Sequence, residues 1–194
     1  MHYLAVGRTD RSPRDFTVAE SRTIADGEMM SLEQPWIFGA PLIVRVDDGT
    51  PLDELKTRVP AECNAFAVEG LAEPGDGQAF VFGAHTMRDA GHFRSYAQLV
   101  PDVVARFNGR FLVRASEVVT ISGHVVPNRV VVIEFPSAHD AVAYYVSDAY
   151  APLLKLRLAT ANTRLVVLAR SGALPEAARR VAEDYLRGRR GAAR

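Results

Sequence analysis

Residues 107–135 read Phe-Asn-Gly-Arg-Phe-Leu-Val-Arg-Ala-Ser-Glu-Val-Val-Thr-Ile-Ser-Gly-His-Val-Val-Pro-Asn-Arg-Val-Val-Val-Ile-Glu-Phe. The pattern is that of a helix end, a strand, a turn and a second strand. Asn108-Gly109 closes a helix, Gly109 supplying the left-handed conformation that a helix terminus needs. Residues 110–120 are rich in Val, Phe and Ile, residues 123–128 are a turn cluster, and residues 129–135 are a second β-branched run. A hairpin of this kind needs helices over one face.

Helix-like sequence lies on both sides of it. Over residues 89–107, Phe93, Tyr96, Ala97, Val100, Val103, Val104 and Phe107 recur at steps of three and four, one face of an amphipathic helix. Pro101 inside that pattern is expected to kink or divide it. After the hairpin, Ser137 with Asp140 three residues on marks a helix start. Ser147 is expected to cap a further helix reaching about residue 162, and residues 164–169 form the last strand. With residues 79–86 as the first strand, the order is β-α-β-β-α-β. This is the split, ferredoxin-like pattern of an antiparallel sheet with helices on one side, an α+β fold. Residues 174–187 append an amphipathic helix.

Before residue 72 the reading is a β-α-β extension. Residues 2–6 and 42–46 are strands, residues 16–30 carry weak helical character broken at Gly27, and residues 64–71 are another strand. Thr50-Pro51 starts a short helix, Thr50 as cap and Pro51 in the first position, with Asp53 and Glu54 at its positive end. The turn-formers of residues 73–78 mark the boundary. The expected organisation is an N-terminal extension (1–72), a ferredoxin-like domain (78–170), and a C-terminal helix with a basic tail (171–194). The apolar sheet face carrying Val81, Leu112, Val131 and Val166 must be covered. Either a homodimer or an intrachain pseudo-dimer built from the N-terminal strands would cover it.

The 194 residues carry 23 basic and 23 acidic side chains, no net charge, and 48% hydrophobic residues. A polyanionic partner asks for a basic excess, so nucleic acid is disfavoured. The lone Cys63 forms no intrachain disulfide, no Cys/His cluster has zinc spacing, and no apolar run reaches membrane length. These features predict a cytoplasmic protein that does not engage a membrane. No nucleotide fingerprint, phosphate loop, nucleophile elbow or zinc-protease motif occurs, so no cofactor is expected.

Residues 108–114, the strand from Glu117 to Gly123, residues 129–137, Tyr145, Ser147, Tyr150 and Leu156-Arg157 resemble the domain-of-unknown-function 1330 family over about residues 78–170. The resemblance implies the dimeric α/β-barrel, ferredoxin-like superfamily, which includes cofactor-independent monooxygenases, cyclases, isomerases and dehalogenases. Asn108-Gly109 stands where the family usually has Gly-Gly, and Ala115-Ser116-Glu117 where a Gly-Gly-Glu-like run is usual.

Strict alternation sets Arg110, Leu112 and Arg114 against Phe111 and Val113. It points Arg114 into a barrel, where a guanidinium can hold a carboxylate, phenolate or enolate. The other reading of Arg114 is an ion pair with Glu117 or Glu134. Arg157 is the second anion-binding candidate, against a surface salt bridge. His85, His92 and Glu117 are the candidate proton carriers, while His124 and His139 read as surface residues. Tyr145 and Tyr150 offer hydroxyls to a ligand or pack in the core. The expectation is a cofactor-independent enzyme acting on a small anionic or enolisable metabolite. The alternative is a non-catalytic small-molecule-binding or assembly protein.

Overall fold

The computed structural model describes residues 2–8, 21–33, 40–47, 49–123 and 127–192. Its strands are β1 (His2–Arg8), β2 (Ser21–Ala25), β3 (Met29–Ser31), β4 (Ala40–Val46), β5 (Asn64–Glu69), β6 (Ala79–Met87), β7 (Arg110–Ala115), β8 (Val118–Ser122), β9 (Arg129–Phe135) and β10 (Ala161–Ala169). The helices are α1 (Leu52–Arg58), α2 (Ala90–Arg106), α3 (Ala138–Val146), α4 (Ala151–Thr160) and α5 (Glu176–Ala192). No helix among the described residues is long and apolar enough to cross a membrane.

The strands form two open antiparallel sheets, ordered β2-β4-β1-β5-β8 and β3-β10-β6-β9-β7. Each sheet ends in a strand from the other half of the chain. β3 lies against β10, and β8 lies against β5. Residues 110–122 therefore do not make one arm of a hairpin. The run breaks at Ser116-Glu117, β7 pairs with β9, and β8 crosses to the N-terminal sheet. Residues 124–126, the centre of the expected turn and the site of His124, lie outside the described residues.

Alternation along the strands divides the interior into three apolar layers. Tyr3, Ile43, Phe66 and Val68 of the N-terminal sheet meet Phe80, Phe82, Leu112, Val132 and Val166 between the sheets. Helices α2 to α5 cover the outer face of the C-terminal sheet through Phe93, Val104, Tyr144, Leu154 and Ala178. Leu55 and Val59 cover Leu4, Val44 and Ala67 on the outer face of the other sheet. Burying a phenylalanine contributes roughly 1.5–3 kcal/mol, so Phe66, Phe80 and Phe82 make the space between the sheets a core. Of the four residues expected on that face, Leu112 and Val166 lie there. Val81 packs on the helix side, paired with Ile133.

Several local expectations are corrected. Residues 21–25 form a strand, because Thr23 and Ile24 find β4 as a partner. Gly27 allows the next turn to press on the chain end of β10, where a Cβ would stand 2.8 Å from the Ala169 carbonyl oxygen. α1 takes Pro51, not Thr50, at its N-cap, with no side-chain cap. Pro101 lies within an uninterrupted α2. At the end of α2 it is Asn108 that is left-handed, with φ of 55°. Gly109 is required for a different reason: its Cβ would lie 2.5 Å from the Phe135 ring. Ser147 ends α3 and bonds the Tyr150 N–H, and α4 begins only at Ala151.

Candidate functional site

The helix-covered face of the C-terminal sheet gathers most of the polar chemistry. His85 stands on β6, where Phe82 and Ala84 face the core between the sheets, so alternation puts its ring on the helix side, 5.6 Å from Phe93 of α2. Arg129, its partner across β9, stacks on the same Phe93 at 5.4 Å. Thr163, its partner on β10, lies 2.9 Å from His85 Nδ1 through its hydroxyl. His85 is 1% exposed, and its Nε2 is buried without a hydrogen-bond partner among the described residues. Burial first, then the charges of Arg157 and Arg129, hold its pKa well below the ordinary value. The imidazole is therefore neutral at neutral pH.

Arg114 reaches this side as well, against the expectation from strict alternation. A β-bulge between Phe111 and Val113 adds one residue. Leu112 and Val113 consequently both enter the inter-sheet core, and every later side chain of β7 changes face. Arg114 pairs with Val131, stacks over Phe111 at 4.8 Å, and donates from Nη2 to the Ala97 carbonyl of α2 at 2.5 Å. That carbonyl is available because Pro101, four residues on, has no N–H to offer it. Arg129 feels the Arg114 charge: burial, then Arg114, lower its pKa. Neither guanidinium forms an ion pair with a carboxylate of the described residues.

Deeper under the helices, Arg157 of α4 is fully buried. Its Nε donates to the Tyr150 hydroxyl at 3.0 Å, and its two terminal nitrogens bond the two carboxylate oxygens of Glu33. The Tyr145 hydroxyl donates to Glu33 Oε1 at 3.0 Å and to the Leu32 carbonyl at 3.1 Å. The Tyr96 and Tyr150 hydroxyls are 3.3 Å apart. Burial works against the Arg157 charge, but Tyr150, Glu33 and Tyr96 outweigh it and hold the pKa well above the ordinary value. Burial raises the phenols of Tyr96 and Tyr145, so both stay protonated.

Sequence candidates are thus divided. His85, Arg114, Arg157, Tyr145 and Tyr150 share the helix-covered layer. His92 does not: its side chain is 77% exposed at the start of α2, where it bonds Asp89, the helix cap. His139 is also exposed, on α3. Glu117 sits in the exposed turn between β7 and β8 and lines a separate cavity of about 500 Å³ with Arg114, His2, Glu69 and Leu71. Glu134 is paired with Arg110 and Arg170 and not with Arg114. Tyr96, Arg129, Thr163 and Glu33 escaped the sequence reading. Arg129 and Thr163 could have been found from the strand order, since both are cross-strand partners of His85; Glu33 gave no signal.

A helix-covered antiparallel sheet with a buried arginine, two partly buried ones and a neutral histidine makes this an α+β protein with a polar cluster in one half. Residues 78–170 match the model of the family described as Domain of unknown function (DUF1330). No curated protein matches the chain. Among solved structures, one described as a major regulator of staphylococcal pathogenesis is similar over 74% of this chain and 85% of that one, at 12% identity and a TM-score of 0.41.

Proposed function

We propose that the protein is a cofactor-independent enzyme that moves a proton on a small anionic, enolisable metabolite. The observation that supports this most is the buried, neutral His85, whose Nε2 has no partner, beside the cationic Arg129 and Arg157. With Nδ1 donating to Thr163, Nε2 holds the lone pair and serves as base. It takes a proton from a carbon next to a carbonyl, and the electron pair of that C–H bond becomes an enolate. Arg129 and Arg114, which have no carboxylate partner among the described residues, stabilise the enolate or the substrate carboxylate. Where a C=C bond is conjugated with the enolate, return of the proton from His85 to the γ-carbon moves the double bond and gives an isomer, with atoms and charge balanced. His85 replaces His92 and Glu117 as the proposed proton carrier, because those two lie elsewhere.

The test is deuterium uptake. Small α-keto acids incubated with the protein in D₂O should lose their α-proton signals in proton NMR. His85→Gln should abolish the exchange, and Arg129→Gln should weaken substrate binding by roughly tenfold or more, the value of one charge-assisted hydrogen bond. If no acid in the panel exchanges or changes the melting temperature, the enzyme reading fails.

The strand orders support a second proposal, about assembly. Residues 2–69 contribute β5-β1-β4-β2 and residues 79–169 contribute β10-β6-β9-β7. Both runs have the same order when each half's strands are counted from its own start, the order of a ferredoxin-like sheet. We read the chain as an intrachain pseudo-dimer of two such halves. The filled space between the two open sheets supports a scaffold role for that layer, and the ligand of the proposed reaction is assigned to the helix side.

A further inference from the structure

We propose that the buried Arg157 site is a receptor for a small carboxylate, and that Glu33 is its resident ligand. The receptor is built within residues 78–170. Tyr96 comes from α2, Tyr145 from α3, Tyr150 from the turn before α4, and Arg157 from α4. Only the carboxylate comes from outside, carried on the segment that follows β3. The donor set is that of carboxylate recognition: a planar guanidinium meeting both oxygens, and one phenol on the same group. Arg189 of α5 donates to that phenol at 3.0 Å, so the phenolic oxygen accepts from Arg189 while its proton faces Glu33 Oε1 and the Leu32 carbonyl. Arg157 is completely buried and the Glu33 side chain is 5% exposed.

A buried guanidinium without a counter-charge is strongly unfavourable. The C-terminal half therefore requires an anion at this place, whatever its source. Glu33 supplies it from just beyond β3, whose residues Met29, Met30 and Ser31 pair with β10, and the intervening Leu32 donates its N–H to the Leu165 carbonyl. A free carboxylate of the same shape can meet the same donors. None of this depends on His85 or Arg129, so the proton-transfer reading and the receptor can fail separately.

The experiment uses the full chain and propionate, which reproduces the end of a glutamate side chain. Glu33→Ala should lower the melting temperature, and propionate should raise it again in a saturable way. Propionamide, of the same shape without charge, and chloride at equal ionic strength should not. The wild type, with Glu33 in place, should respond to millimolar propionate no more than to chloride. Adding Arg157→Gln to Glu33→Ala should remove the propionate response. If Glu33→Ala does not fold alone, Glu33→Gln keeps the shape without the charge, and propionate must then stabilise it above the chloride control. Equal effects of propionate and chloride on these variants overturn the proposal.

Discussion

Arg114 on β7 donates to the carbonyl of Ala97, the oxygen that Pro101 leaves without a helix partner. The proline and the arginine are thus a pair, although they lie on different elements. Removing the arginine alone orphans a partly buried carbonyl, at a cost of about 1–3 kcal/mol. In Pro101→Ala the helix closes its own bond, so Arg114→Ala should then cost much less. A double-mutant cycle read by urea denaturation should give a coupling of at least 0.5 kcal/mol, the range of residues that share a partner. Additive effects would show that Arg114 does not serve the helix.

Glu134 fastens the segment that joins the two halves. Its carboxylate accepts from Arg110, Arg170 and the Gly75 N–H, while the same arginines bond the carbonyls of Glu73, Gly75 and Gly77. Glu134→Ala leaves two partly exposed guanidinium groups and the Gly75 N–H without their shared anion and should destabilise by about 1–3 kcal/mol. Gly77→Ala should also destabilise, since a Cβ there would lie 2.6 Å from the Phe135 carbonyl oxygen. Gly188→Ala, on α5 with open space around it, should be neutral or slightly stabilising in the same thermal melts.

His85 sets an acid limit. Its folded-state pKa lies below the ordinary 6.5 of the unfolded chain. As pH falls below 6.5 the unfolded state takes up a proton that the folded state refuses, so stability falls with a slope of up to about 1.4 kcal/mol per pH unit. Above that pH the contribution is constant. Chemical denaturation between pH 7 and pH 5 should show a shallower decline for His85→Gln than for the wild type.

Tyr3 acts at the other end of the scale. Its hydroxyl donates to the Ala72 carbonyl at 2.7 Å, and burial, then Glu73 and Glu134, push its pKa up to about 12. Between the ordinary value of 10 and 12 the unfolded state loses a proton that the folded state keeps. Stability should fall with rising pH in that window, and Tyr3→Phe should reduce the fall. Equal slopes for the two proteins would mean that this phenol is not held in the fold.

The order of strands and helices after residue 79 could be read from period and punctuation: β-branched runs, the Ser137 cap, the apolar face of α2. What could not be read was one residue of bulge at Leu112 and one break at Ser116-Glu117. Neither alters composition, and each is fixed by a partner far away: Leu71 donates its N–H to the Leu112 carbonyl, and β5 accepts β8. The bulge alone reversed the face of Arg114. Residues 21–25 lacked a local strand signal strong enough to overrule a weak helical one, and β4 decided the matter. At the site, His85, Arg157, Tyr145 and Tyr150 were visible as residue types. Their grouping needed the sheet order, and Glu33 joined them only through the strand exchanged between halves.

That exchange has a consequence for how the molecule is made. β3 ends at residue 31 and its only sheet neighbour, β10, begins at residue 161. At translation rates of about 5–20 residues per second, β3 and Glu33 wait on the order of ten seconds for their place. The N-terminal sheet likewise lacks β8, and offers an open edge on β5, until residues 118–122 have been made. A molecular chaperone that shields strand edges, or slow release from the ribosome, should therefore matter more for this chain than for a protein whose halves each finish their own sheet.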